Sequence, residues 1–198
     1  MVYYGLAYGV ADLPGNLYIN NTISGAVDLC AYILCIIFMD IIGRKWMTSG
    51  FMIFGGMSCL GAMLLNEYGP NDDTNWMYEF SKWLAFCGKF AISGSFSVLY
   101  IFAAELFPTE VRTIGLAFMT CIGCIGGAIV PFIIILQDDD QLSYVPFLIF
   151  GILGILSGLS VFSLPETTGK PILQTIDEAE YFYAQSGSRS NREDTTLE

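Results

Sequence analysis

The sequence predicts an all-α membrane protein, a bundle of five full spans and one shorter apolar segment. Three observations predict it. The 198 residues are 54% hydrophobic and only 14% charged, whereas soluble domains carry about a quarter charged residues. The charge is also uneven: long stretches hold none, and short segments between them hold nearly all. Finally, the basic residues alternate from one inter-span segment to the next, as the positive-inside rule requires.

About 20 apolar residues cross the hydrocarbon core of a bilayer. Residues 1–11, MVYYGLAYGVA, are apolar but too short. No basic segment precedes them, so they do not read as a cleavable signal peptide. They read as the truncated first span of a chain that begins inside a longer bundle. Residues 18–39 are long enough, interrupted only by Asn20, Asn21 and Asp28. Residues 46–65 are uncharged, and 83–104 carry only Lys89. Residues 113–136 are uncharged, with Pro131 expected to kink the helix because it removes a backbone donor. Residues 144–164 are uncharged and start near Pro146. The transmembrane domain is thus 1–164. The rest, 165–198, is a polar Ser/Thr-rich tail expected to be disordered after about residue 184.

Arg44 and Lys45 follow the span 18–39, Arg112 follows 83–104, and Lys170, Arg189 and Arg192 lie in the tail. These three segments fall on one side, the cytoplasmic one. The opposite loops, 66–80 and 137–143, hold Glu67, Asp72, Asp73, Glu79 and Asp138 to Asp140 but no Lys or Arg. The chain is therefore expected to be a multi-pass integral membrane protein, of the plasma membrane, with a cytoplasmic C-terminus and lipid as its surroundings.

Several function classes lose support. The net charge of −11 comes with no basic patch, so nucleic acid is not an expected partner. There is no His, no metal-ligand cluster and no nucleophile–base pair, so no enzyme, metal site or cofactor is expected. No re-entrant segment suggests a channel filter. The six cysteines all lie in apolar stretches, so they read as small core residues. Cys121-x-x-Cys124 lacks the second pair a zinc site needs. Asn20-Asn21-Thr22 is a glycosylation sequon at a span entrance, too close to lipid to be used. Gly123-x-x-x-Gly127 and Gly154-x-x-x-Gly158 are candidate close helix contacts.

Two ionisable residues lie inside spans, where an acid costs roughly 2.5–3.5 kcal/mol. Asp28 and Lys89 sit on spans running the same way and differ in depth by about 6 Å on a helical rise. A Lys stem bridges that distance, so the two are expected to pair or to share a water-filled cavity. The bland alternative is an ion pair that only packs. Phe96, Tyr100 and Cys124 are further candidates for cavity lining, although aromatic rings face lipid equally well. At the cytoplasmic side, Asp40-Ile41-Ile42-Gly43-Arg44-Lys45 makes a tight turn, with Gly43 supplying the bend and Asp40 facing the basic dyad. Glu105-Leu106-Phe107-Pro108-Thr109-Glu110-Val111-Arg112 makes the next, with Pro108 ending one helix and Thr109 capping the next. Asp40, Arg44, Glu105 and Arg112 are expected to form one charge cluster, a latch made or broken as a gate closes or opens. Topology signalling alone is the simpler reading of Arg44 and Lys45.

At these motifs the sequence resembles the major facilitator superfamily. D-x-x-G-R-K, E-L-F-P-T-E-V-R and Pro165-Glu166-Thr167-Thr168-Gly169-Lys170-Pro171 stand where that family carries similar turns. The stretches GKFAISGSFSVLYIFAAELFPTEVR, ETTGKPILQTIDEAE and YYGLAYGVADLPGNLYIN resemble its organic cation, carnitine and anion transporters. The resemblance covers residues 2–182. It implies that the chain is the six-helix C-terminal bundle, helices seven to twelve, of a twelve-helix carrier. A second, N-terminal six-helix bundle would then be its partner, and a small organic ion its substrate, moved by alternating access. Two positions depart from the pattern: Ile36 stands where the first turn motif opens with Gly, and Cys124 stands where cation members carry Asp and anion members Arg. The substrate is left open among cations, zwitterions and anions. A sugar-porter-like facilitator is the rival, and a truncated, non-transporting regulatory half is a second alternative.

Overall fold

The computed structural model describes residues 1–11, 17–68, 75–135, 145–167, 169 and 174–180. Its elements are α1 (Val2–Ala11), α2 (Leu17–Ile42), α3 (Arg44–Tyr68), α4 (Asn75–Leu106), α5 (Arg112–Ile134) and α6 (Val145–Val161). Among the described residues every extended element is a helix. Four segments are long and apolar enough to cross a membrane: Tyr18–Ile42, Arg44–Leu65, Phe80–Leu106 and Arg112–Ile134. α6 is apolar and described over 17 residues, a little short of a span, and residues 136–144 before it lie outside the described set. So do Asp72, Asp73, Asp138 to Asp140, Lys170 and the tail beyond residue 180, on which part of the topology argument and the expected disorder rest.

α3, α4 and α6 form the packed centre. Glycine makes the α3–α6 contact close: a Cβ on Gly56 would come within 2.7 Å of the Gly151 carbonyl oxygen, and one on Gly154 within 3.1 Å of Gly56. Gly154-x-x-x-Gly158 is therefore a helix seam, as its spacing predicts. The Ser49 hydroxyl closes it by donating to the Gly158 carbonyl at 2.7 Å. Serines join α3 to α4 in the same way. Ser58 donates to the Leu84 carbonyl at 2.6 Å, Ser81 to that of Ala62 at 3.0 Å, and Ser95 to that of Thr48 at 2.9 Å. In an apolar interior each such bond removes a hydroxyl that would otherwise go unsatisfied.

The short α1 sits between α2, α4, α5 and α6. Its Leu6 is buried with Cys59, Ile92, Val130 and Phe150. α2 and α5 are the outer helices, with only 11% and 6% of their span windows buried. Gly123-x-x-x-Gly127 departs from its expected role. Gly127 does meet the ring of Tyr4, but a Cβ on Gly123 would have nothing within 4 Å. The spacing admits close approach, yet no helix backbone lies opposite. α5 runs on past Pro131 to Ile134, so that proline falls in the last turn.

Candidate functional site

Two ionic clusters and one cavity make up the candidate site. The first cluster lies deep between α2 and α4. Lys89 is only 3% exposed, and its Nζ stands 3.4 Å from Asp28 Oδ2. The same ammonium donates to Ser24 Oγ. Ser93 Oγ donates to the other carboxylate oxygen, Oδ1, at 2.5 Å. Helical spacing explains the set. Ser24 and Asp28 are four apart on α2, and Lys89 and Ser93 four apart on α4, so each helix presents one charge and one hydroxyl to the other. A buried charge is tolerated only when paired and hydrogen-bonded, and both conditions hold here. Sequence reasoning names the two charges and misses the two serines, although the four-residue spacing to each charge is a readable signal.

The second cluster lies where the α2–α3 turn, the end of α4 and the segment after α6 meet. Gly43 is left-handed, with φ of 97°, a conformation that glycine adopts without a Cβ penalty. It lets α3 start one residue after α2 ends. Arg44 is thereby placed against both neighbours: its Nη2 is 3.2 Å from Asp40 Oδ1 and its Nε 3.0 Å from Glu105 Oε2. Glu105 also accepts from Thr167 Oγ1 at 2.6 Å. Glu166 Oε1 accepts from the backbone N–H groups of Thr167 at 3.2 Å and Lys45 at 3.5 Å. The segment 165–167 is thus tied to both turns. Glu166 and Thr167 belong to this cluster, and sequence reasoning quotes them only as a motif.

Arg112 corrects an expectation. It does not reach Arg44, Asp40 or Glu105. Its Nε donates to the Phe107 carbonyl at 3.3 Å and its Nη2 to Thr109 Oγ1 at 3.4 Å. The turn after Pro108, closed by Val111 N–H to the Pro108 carbonyl at 3.1 Å, folds the guanidinium back onto the carbonyl that follows α4. A cation is favoured there. Thr109 is likewise not the cap of α5. That position is Val111, which makes no side-chain capping bond.

The cavity, about 360 Å³, is bordered by α1, α3, α4, α5 and α6. Tyr3, Phe96 and Tyr100 form its aromatic side. Tyr3 stacks on Phe96 with centroids 4.4 Å apart, and Tyr100 meets Phe96 edge-on at 5.2 Å. Of the sequence-predicted lining residues, Phe96 and Tyr100 border this cavity. Cys124 is exposed on α5 and does not border it, whereas its neighbour Gly123 does. Asp28 and Lys89 are not among its lining residues either. They connect to it along α4, where Lys89, Ser93, Phe96 and Tyr100 recur at steps of four, three and four, the spacing of one helix face. Among the described residues no group of His, Cys, Asp or Glu could hold a metal ion.

Apolar helices of spanning length, hydroxyl-to-carbonyl bonds between them and a paired buried lysine define an integral membrane helical bundle. The chain belongs to the sugar (and other) transporter family of the major facilitator superfamily, whose pattern it matches over residues 8–179. Similar proteins include the solute carrier family 22 member 15-like protein of Xenopus laevis, 37% identical over 193 residues and 96% of this chain. The carcinine transporter of Drosophila melanogaster is 39% identical over 181 residues and 91% of this chain. Organic cation transporter 1 of Caenorhabditis elegans is 35% identical over 182 residues and 92% of this chain. The chain spans 38%, 25% and 29% of the lengths of these three relatives, respectively.

Proposed function

We propose that this chain is one wall and one half of the gate of an alternating-access carrier for small organic ions. The carrier is a longer protein whose other wall is a second six-helix bundle. The relatives, an organic cation transporter and a carcinine transporter among them, favour organic ions over sugars. The observation that carries the reading is the Asp28–Lys89 pair with its two serines. A lysine that is 3% exposed within an apolar helix is costly to insert even when paired, and intramembrane charges commonly line substrate or ion pathways. Asp28, whose side chain is 20% exposed against 4% for Lys89, is the member of the pair that a charged substrate reaches. Cys124 sits on the exposed face of α5, which in this reading turns toward the second bundle.

The arginine cluster supports the gate. Arg44, Asp40, Glu105, Glu166 and Thr167 tie two inter-helix turns to the segment after α6. In the proposed topology all three are cytoplasmic, because Arg44, Lys45, Arg112 and the basic residues of the tail then lie on the inner side of the plasma membrane. Closing the inner gate makes these contacts, and opening it breaks them.

The test is uptake by the full-length carrier in cells. Asp28→Asn is expected to abolish uptake of labelled organic ions while leaving the amount of protein at the cell surface within twofold. Undiminished uptake by Asp28→Asn would remove the pair from the pathway and leave it a packing element.

A further inference from the structure

A second hollow, an open cleft of about 590 Å³, lies outside the membrane-spanning part of the bundle. The turn between α4 and α5 lines it with Thr109, Glu110 and Arg112, and the segment after α6 lines it with Gln174 and Thr175. Thr175 is exposed and precedes a helical stretch over 176–180. Its hydroxyl accepts from the Glu178 N–H at 3.4 Å, and Glu178 Oε2 accepts from the Gln174 N–H at 2.9 Å. Five helical residues are too few to hold a helix without packing, and within the stretch only Ala179 is buried. The segment therefore opens at little cost into the extended form that a kinase groove takes. Its charge pattern is one-sided, with Asp177, Glu178 and Glu180 standing two, three and five residues after the hydroxyl. Other hydroxyls nearby lack this combination. Thr167 is buried and donates to Glu105, and Thr109 has the cation Arg112 three residues on.

We propose that Thr175 is a phosphorylation site for an acid-directed kinase, and that Arg112 receives the phosphate across the cleft. This goes beyond the carrier reading and shares only its topology, in which this face is cytoplasmic. Thr175 Oγ1 attacks the γ-phosphorus of ATP, forming the Oγ1–P bond. The bond from that phosphorus to the β,γ-bridging oxygen breaks, ADP leaves with the electron pair, and the hydroxyl proton passes to the kinase base. The product carries a charge of about −1.5 to −2. Arg112 is placed to answer it. Its present bonds, to the Phe107 carbonyl and Thr109 Oγ1, are 3.3 and 3.4 Å long, and a guanidinium exchanges such bonds readily for a bidentate phosphate pair. Glu110 lines the same cleft and opposes the phosphate, so it limits the strength of the pairing. The new contact ties the segment after α6 to the start of α5. It adds to the tie that Glu105 and Thr167 already make to the end of α4.

The experiment uses the full-length carrier. Phosphate is mapped by mass spectrometry on carrier recovered from cells, and on purified carrier treated with ATP and casein kinase 2, an acid-directed kinase. Thr175 is expected to be modified in both. Asp177→Asn combined with Glu178→Gln should lower incorporation there about tenfold or more. Phosphate confined to Ser190, which has Glu193 and Asp194 three and four residues on, overturns the site. So does an unmodified Thr175 in carrier from cells. The pairing is read by cleavage after Glu166 with a glutamyl-specific protease, which phosphorylation should slow about fivefold or more. Arg112→Ala should leave incorporation intact and abolish the slowing, and Glu110→Gln should enlarge it. No slowing, or slowing that survives Arg112→Ala, overturns the role of Arg112. None of these readouts uses transport, so a carrier that takes up no organic ion would sink the transport reading and leave this one standing.

Discussion

The two ionic clusters use similar groups in opposite surroundings. At Asp28–Lys89, the cation meets one carboxylate and the Ser24 hydroxyl, the carboxylate accepts from Ser93, and the lysine is almost wholly withdrawn from solvent. At Arg44, one cation meets two carboxylates, and Asp40 is 72% exposed. The buried cluster joins two adjacent helices through side chains alone, two from each. The other joins three chain segments through side chains and backbone N–H groups. A buried pair resists separation, because either partner left alone carries a desolvated charge. A partly solvated network can exchange its bonds for water at little cost. The first is suited to a fixed site whose charge only a competing ion displaces, and the second to a contact that opens and closes.

The sharpest break of this contrast is at Lys89. Lys89→Met leaves Asp28 without its cation and is expected to destabilise the bundle by about 3–5 kcal/mol. Adding Asp28→Asn should restore most of that loss, because the double variant contains no unpaired charge. Thermal unfolding of the purified carrier in detergent checks it. A double variant no more stable than the single one would show that the hydroxyls, not the charge balance, hold α2 to α4.

Much of this architecture was legible in the sequence because membrane insertion writes itself into composition. The spans 18–39 and 46–65 fall within three residues of the observed helices at each end. α4 extends eight residues further toward its N-terminus than the apolar run, since helices continue past the hydrocarbon core. The Asp28–Lys89 pairing was legible because charges are rare in such segments and depth follows from the helical rise. What composition could not show was which turn faces which. Arg112 and Arg44 look alike in sequence, but the Pro108 turn sends one back to its own helix end. Thr167, 62 residues from Glu105, is joined to it only by the packing of α6 on α3. Gly123 and Gly154 likewise share a motif, and only the presence or absence of a facing backbone separates their roles.

The second prediction probes the looser cluster. Glu105→Gln removes the charge that Arg44 and Thr167 share, and Thr167→Val removes one hydrogen bond to it. Each is expected to cost about 1–2 kcal/mol locally, discounted for partial exposure, with little change in global unfolding. The released segment becomes a better protease substrate. Cleavage after Glu166 by a glutamyl-specific protease, in vesicles exposing that face, should rise about 5–30-fold. Unchanged cleavage in both variants would mean that Glu166 alone pins the segment, through the Lys45 and Thr167 backbone.

The smallest effect is expected at Arg112, and its smallness is informative. From sequence, Arg112 and Arg44 are equivalent members of one latch, so replacing either should loosen it. In the structure the bonds of Arg112 run to Phe107 and Thr109 at 3.3 and 3.4 Å, long for charged donors and confined to one turn. Arg112→Ala should therefore change stability by less than about 0.5 kcal/mol and leave cleavage after Glu166 at the level of the unaltered protein. If Arg112→Ala instead raised cleavage as much as Glu105→Gln does, the two turns would be coupled in a state other than this one. The latch would then include Arg112 when the gate is in its alternate position, and the division between a latch arginine and a helix-end arginine would fail.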